Sequence, residues 1–392
     1  MTNMIDYVKW RGDISFKELP LNEVDSLIFT ELAYVPYDNF VSDALDCKGI
    51  PLSKLADNFF SVNSNKTKIG AIIPNEPIFE LFQLTAKSKR FGNVLVRGYI
   101  NEVDIGDEKQ FSAMCFDIDA HTTYVAYRGT DDTIIGWKED LNMAFFTPIP
   151  SQKRGAEYLE SVGASTRHNL YIGGHSKGGN LAIYSALMAN ERVQKKIIAV
   201  HSFDGPGFKK EFIAEHKKNP ILPRLIKILP EGAIIGAIFY PVGKCKYVKS
   251  EGKGLYQHDA FTWEVMGKDF ITVREPSKTS TDFHNLLETW VDGMSEEEKV
   301  DFVDALYKLC TVNDSTTLSD IATDKLKFIV GVLKTDDKTK KTFLTLINRL
   351  IKQKYFKKDD SKRPPKEEKP KVKKEKKPIL KEKIPKNKKD KK

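Results

Sequence analysis

Residues 169–190 read NLYIGGHSKGGNLAIYSALMAN. An apolar run enters a Gly-x-Ser-x-Gly turn, and a run rich in small residues leaves it. NLYIGG (169–174) has the length and apolarity of a buried strand, and 178–190 has the length of a helix. A strand that passes directly into a helix leaves no room for bulky neighbours in the turn. Gly174 and Gly178 remove those side chains, and Gly179 lets the helix lie close on the sheet. Ser176 is then expected in a strained turn with its hydroxyl exposed, at a helix N-terminus whose N–H groups face any oxyanion forming there. The five-residue pattern alone is weak, and its strand–helix setting makes it strong. The competing reading is a glycine-rich turn without chemistry. His175 reads as a packing residue.

The surroundings suit such a turn. Helices are expected at 21–35 and 76–91, and short β-type runs at 94–100, 111–117 and 122–128. After a helix at 151–164 come buried strands at 169–174, 197–203 and 224–229 and a last one at 244–249. The helix–strand alternation from about residue 150 argues for an α/β fold with a mostly parallel sheet flanked by helices. Further helices are expected at 296–309, 318–333 and 340–356. This divides the chain into a catalytic domain at 1–292, a helical C-terminal extension at 293–356 and a tail at 357–392.

Charge sharpens that division. The net charge is +9, yet residues 362–392 hold 16 Lys/Arg against 5 Asp/Glu, so residues 1–361 carry about −2. The tail has almost nothing to bury and is expected to be disordered. Cys47, Cys115, Cys245 and Cys310 stand far apart without a CxxC pair, so no metal site is expected, and no cofactor. Met1–Trp10 lacks the apolar core of a signal peptide, and the longest apolar run, Ala233–Val242, is too short for a membrane span. A reducing, cytoplasmic setting is the expectation.

A second segment carries chemistry. YVAYRGTDDTIIGWKEDL (124–141) reads as a strand ending in Arg128-Gly129-Thr130 and then a helix start. Thr130 offers an N–H and a hydroxyl to an oxyanion, and the N–H of Lys177 is the other candidate donor. The plainer reading is a turn capped by Asp131 or Asp132. RGT…GW..DL followed by GHSKGGNLA resembles the class 3 (fungal-type) lipases of the α/β-hydrolase fold. The chain is more closely similar to a bacterial lipase-like α/β-hydrolase family of largely uncharacterised function. That similarity rests on SKRF (88–91), QFSA (110–113), YRGTDDTIIGWKEDLNMAF from Tyr127, GGHSKGGNLA (173–182), FDGPGF (203–208) and QHDAFTW (257–263), and covers roughly residues 5–292. It implies a Ser–Asp–His hydrolase, with Thr130 and Lys177 at the lipase oxyanion positions, and supplies no substrate.

In this fold the acid and the histidine follow the serine. His201 lies inside an apolar strand and His216 in a charged stretch. His258 follows the last expected strand in a loop, where a mobile base belongs, and it sits in QHD of the family motif; His284 is its rival. For the acid, Asp204 follows the strand IIAVHSF in a glycine-rich turn, and Glu231 in LPEGAIIG is the alternative. The expected chemistry is acyl transfer from an acyl-ester or lipid substrate through an acyl-enzyme. A catalytically silent scaffold that only binds is the competing class. The run AIIGAIFYPVG (233–243) reads as a buried helix or strand, or as the lining of an acyl pocket or a lid. The basic helix 340–356 and the tail suit peripheral contact with anionic membrane. No specific nucleic-acid partner is expected, because no fold for it accompanies the tail.

Overall fold

The computed structural model describes residues 2–63, 77–131 and 133–311, with scattered positions between 335 and 348. Strands are β1 (Ile50–Pro51), β2 (Leu95–Asp104), β3 (Lys109–Asp119), β4 (Thr122–Tyr127), β5 (Asn169–His175), β6 (Ile197–Phe203), β7 (Leu225–Pro230), β8 (Lys244–Val248), β9 (Val265–Met266), β10 (Asp269–Phe270) and β11 (Thr272–Val273). Helices are α1 (Met4–Arg11), α2 (Glu23–Leu32), α3 (Leu52–Val62), α4 (Ile78–Lys87), α5 (Ile134–Phe145), α6 (Pro150–Ser165), α7 (Lys177–Met188), α8 (Glu191–Gln194), α9 (Lys210–Glu215), α10 (Lys278–Asp292) and α11 (Glu296–Cys310). The expected helix at 318–333, most of that at 340–356, Asp132 and the Lys-rich tail lie outside the described residues.

A nine-stranded sheet runs in the order β1-β2-β3-β4-β5-β6-β7-β8-β11. The expectation of a mostly parallel sheet needs correction, for the sheet is mixed. The four pairings from β4 through β8 are parallel, and the other four are antiparallel. The reason lies in the connections. Only residues 105–108 join β2 to β3 and only 120–121 join β3 to β4, and links that short return the chain antiparallel. Helical crossovers to parallel neighbours begin after β4.

Strand alternation distributes the core to both faces. Met114, Phe116, Tyr124 and Ala126 join the cluster formed with α1–α4, while Ala113, Cys115, Val125 and Tyr127 join the one formed with α6 and α7. Helix α2 is buried from Val24 to Leu32, because the sheet covers one side and α4 the other. Its Phe29 meets Phe91, Phe116 and Tyr124 at ring-centroid distances of 5.5, 4.9 and 5.4 Å. Each such aromatic, fully buried, contributes roughly 1.5–3 kcal/mol by area. The SKRF segment finds its reason here. Arg90 reaches Asp25 of α2 through Nε (2.8 Å) and Nη2 (2.6 Å), with neither side chain exposed, and its guanidinium lies 3.9 Å from the Phe16 ring centre. At the far edge, Phe145, Trp290, Val291, Met294, Phe302 and Val303 form a third cluster that packs α10 and α11 against the end of α5. Among the described residues no helix is long and apolar enough to cross a membrane.

Candidate active site

Strand β5 ends at His175, and α7 starts at Lys177, so Ser176 alone makes the turn. Its backbone takes φ 57° and ψ −131°, a left-handed conformation that is strained for a residue with a side chain. The turn is held by the Ser176 N–H donating to Phe203 O at 2.9 Å, and by close packing on both sides. A Cβ on Gly174 would stand 2.1 Å from Gly178 C, and one on Gly178 would stand 2.1 Å from Tyr127 O. Any larger residue at either position would push the helix off the sheet.

Asp204 leaves β6 in a second strained turn, at φ 45°, and is fully buried. Its Oδ2 lies 2.6 Å from His258 Nδ1, and its Oδ1 accepts the Gly236 N–H at 3.1 Å. With Nδ1–H donated to Asp204, His258 keeps Nε2 free to accept a proton. His258 closes a short 3-10 helix, Gly254–His258, whose Leu255 and Tyr256 are exposed. Glu231 is placed differently. Its N–H donates to Val248 O and its carbonyl accepts the Ser277 N–H, and no hydrogen bond joins it to a histidine among the described residues. His284 donates from Nδ1 to Ala237 O at 2.7 Å and so braces a loop. His201 is buried in β6, where burial pushes its imidazole down to about 4. His216 donates to Phe212 O on α9.

Thr130 follows β4 and donates its hydroxyl to Asp140 Oδ2 on α5 at 2.6 Å. Burial pushes the Asp140 carboxyl up to about 6, against the lowering pull of the Lys177 charge and the Thr130 hydroxyl. Lys177, as the first residue of α7, turns its N–H out of the helix's own ladder. Its side chain is buried. Nζ donates to Gln110 O (2.8 Å), Gln110 Oε1 (2.6 Å) and Glu139 Oε2 (3.0 Å).

Ser176, Lys177, Asp140 and His258 open on one cavity of about 510 Å³, whose other walls are Trp137, Leu141, Met143, Pro206, Ile235, Ile238, Phe239, Leu255 and Tyr256. Ser176 is half-buried at its wall, and no hydrogen bond links its Oγ to His258 among the described residues. The run 233–243 forms no helix or strand, which corrects that expectation, and it lines the cavity instead. Its carbonyls are taken up by Lys227 Nζ at Gly236 O (2.9 Å), Ser280 Oγ at Ala233 O (2.6 Å) and the His284 ring at Ala237 O. These bonds satisfy the backbone of an irregular, mostly half-buried apolar segment. Asp140, Glu139, Gln110 and Gly236 were not singled out from the sequence. The acidic pair within GWKED was a visible signal for the first two; nothing local signals Gly236.

A helix-flanked mixed sheet defines the class as an α/β protein, with a strained serine between strand and helix and an Asp–His pair beside an apolar cavity. The Mbeg1-like family model matches residues 85–308, and the chain belongs to this family, the lipase-like relatives of class 3 lipases to which the motifs pointed. Among solved structures it is similar to M37 lipase, at 13% identity over 56% of this chain and 70% of that one, with a TM-score of 0.34. It is likewise similar to a Rhizomucor miehei lipase in complex with its propeptide, at 13% identity over 56% of this chain and 79% of that one, again with a TM-score of 0.34. No curated protein matches the chain.

Proposed function

We propose that this protein is a serine hydrolase of the α/β-hydrolase fold that cleaves carboxylic esters of lipid-like acyl groups. Ser176 is the nucleophile, His258 the base and Asp204 the acid, with the N–H groups of Thr130 and Lys177 as oxyanion donors. The observation that carries this reading is the 2.6 Å contact between His258 Nδ1 and Asp204 Oδ2, with His258 and Ser176 on the wall of the same cavity. His258 Nε2 takes the Ser176 proton as Oγ attacks the ester carbonyl, and Asp204 stabilises the imidazolium. The proton passes to the leaving alcohol, and water, activated by the same imidazole, then releases the acyl group. Rotation of the Ser176 side chain closes the serine–histidine hydrogen bond, which is often long before substrate binds.

The apolar walls support an acyl chain rather than a sugar or a peptide. In this reading residues 1–292 form the catalytic domain and 293–356 a C-terminal extension whose first helix, α11, packs on α5, the wall that carries Trp137 and Asp140. The tail at 357–392 touches anionic lipid surfaces. The test is hydrolysis of p-nitrophenyl esters graded from acetyl to palmitoyl. Turnover that rises with chain length and disappears in Ser176→Ala supports the proposal. No turnover by folded protein, with or without detergent, moves the reading to a binding scaffold.

A further inference from the structure

Beneath His258 lies a second carboxyl–imidazole pair. His175, the last residue of β5, is buried, and its ring stacks on that of His258 with centroids 4.6 Å apart and planes 28° from parallel. Its Nε2 lies 2.9 Å from the backbone carbonyl of His258. A carbonyl only accepts, so Nε2 carries the proton. On the other side of the ring, Nδ1 lies 3.3 Å from Glu31 Oε1 on α2. Glu31 is 1% exposed, and its Oε1 has no hydrogen-bond partner among the described residues. A buried carboxyl without a cation is costly, and a phenylalanine would pack at 175 without needing one.

We propose that Glu31 and His175 are positioning residues that hold the ring and the backbone of His258 in register with Ser176. The covalent link is what makes the register short: His175 and Ser176 are consecutive, so the side chain that carries the base is part of the stretch that carries the nucleophile. Burial favours the neutral form of both groups. Burial raises the Glu31 carboxyl well above the usual carboxylate range, further raised by the nearby Asp259, and burial holds the His175 imidazole well below its own. The bond to His258 O fixes the Nε2–H tautomer, and Glu31 Oε1 stands 3.3 Å from the bare Nδ1. The other titratable groups facing the pair are His258 itself and Tyr34. A neutral His175 places no like charge under the imidazolium that His258 becomes during acyl transfer.

The idea rests on the hydrolase reading for its kinetic part only, and the test separates the two. Imidazole nitrogen NMR of the full chain is expected to show His175 as the neutral Nε2–H tautomer throughout about pH 5 to 8, where a free histidine would titrate. In p-nitrophenyl ester hydrolysis, His175→Phe and Glu31→Leu are expected to lower kcat by about 10–100-fold with KM unchanged, as a displaced base would. Glu31→Gln, which keeps the shape of the side chain and carries no charge, is expected to stay within about threefold of wild type. If His175→Phe does not fold, the wild-type spectrum and the Glu31 variants decide. A His175 that titrates in that range or carries its proton on Nδ1 alone overturns the proposal, as does wild-type kcat in folded Glu31→Leu. A wild type without turnover sinks the hydrolase reading and leaves the positioning to the spectrum.

Discussion

Lys177 Nζ lies 3.0 Å from Glu139 Oε2, with the two side chains 1% and 0% exposed. The same carboxylate accepts the N–H groups of Gln110 (3.0 Å) and Ser151 (2.9 Å). One ion pair thereby ties the start of α7 to β3, α5 and α6. Glu139 also precedes Asp140, the partner of Thr130, so the pair sets both proposed oxyanion donors in mutual position. Lys177→Met leaves the Glu139 carboxylate buried without its cation and is expected to cost about 3–5 kcal/mol. The double variant Lys177→Met/Glu139→Gln is expected to recover most of that, by denaturant unfolding. A single variant as stable as wild type would show the pair to be dispensable.

Gly236 has no room for a side chain. A Cβ there would stand 2.2 Å from Asp204 Oδ1 and 2.2 Å from Leu229 Cδ2. Gly236→Ala is expected to push Asp204 away from His258 and to lower ester turnover by about 10²-fold, the usual cost of an ångström of misplacement. The check is kcat together with the downfield proton NMR signal of the His258–Asp204 bond, which should weaken or shift. Unchanged turnover in the folded variant would place Asp204 outside the reaction.

Asp140 links pH to both stability and activity. Its folded value of about 6 lies above the ordinary 3.8, so the native state holds this proton longer than the unfolded chain does. The stabilising contribution is fully present below 3.8 and is lost as pH rises through about 6. Over the same interval Asp140 becomes the charged acceptor that holds the Thr130 hydroxyl. Asp140→Asn is expected to flatten the fall in Tm across this window and to lower turnover above it by about 3–10-fold. Melting curves and kcat on either side of the window test both signs.

Ile238 lines the cavity from the irregular segment after β7. Ile238→Trp fills part of that space and is expected to shift the preference from long to short acyl esters, lowering kcat/KM for palmitoyl by about 10-fold or more while sparing butyryl. Equal loss across the ester series would mean that the acyl chain lies elsewhere.

Much of the proposed site is legible in the sequence because its residues sit at strand ends. The strand NLYIGG fixes Ser176, the strand IIAVHSF delivers Asp204, and QHD after the last parallel strand offers His258. The meeting of Asp204 with His258 is a long-range event, 54 positions apart in the chain, yet both candidates stood in the expected chain order. Sheet direction was misread because alternation after residue 150 dominates the pattern, whereas two short links decide the first strands. The supporting residues were hidden for a different reason. Glu31 and Gly236 reach the site only through tertiary packing, and neither its own neighbours nor its spacing distinguishes it. His175 reads as packing from its own neighbours, and the carboxyl it meets, Glu31, stands 144 residues earlier in the chain.

The most direct test of Ser176 as an activated nucleophile is reaction of the full chain with a fluorophosphonate, read by intact mass and peptide mapping. The expected result is a single adduct on the Ser176 peptide, absent in Ser176→Ala and strongly slowed in His258→Ala. Folded wild-type protein that takes up no adduct, with or without detergent, or one that is labelled equally in Ser176→Ala, would contradict it.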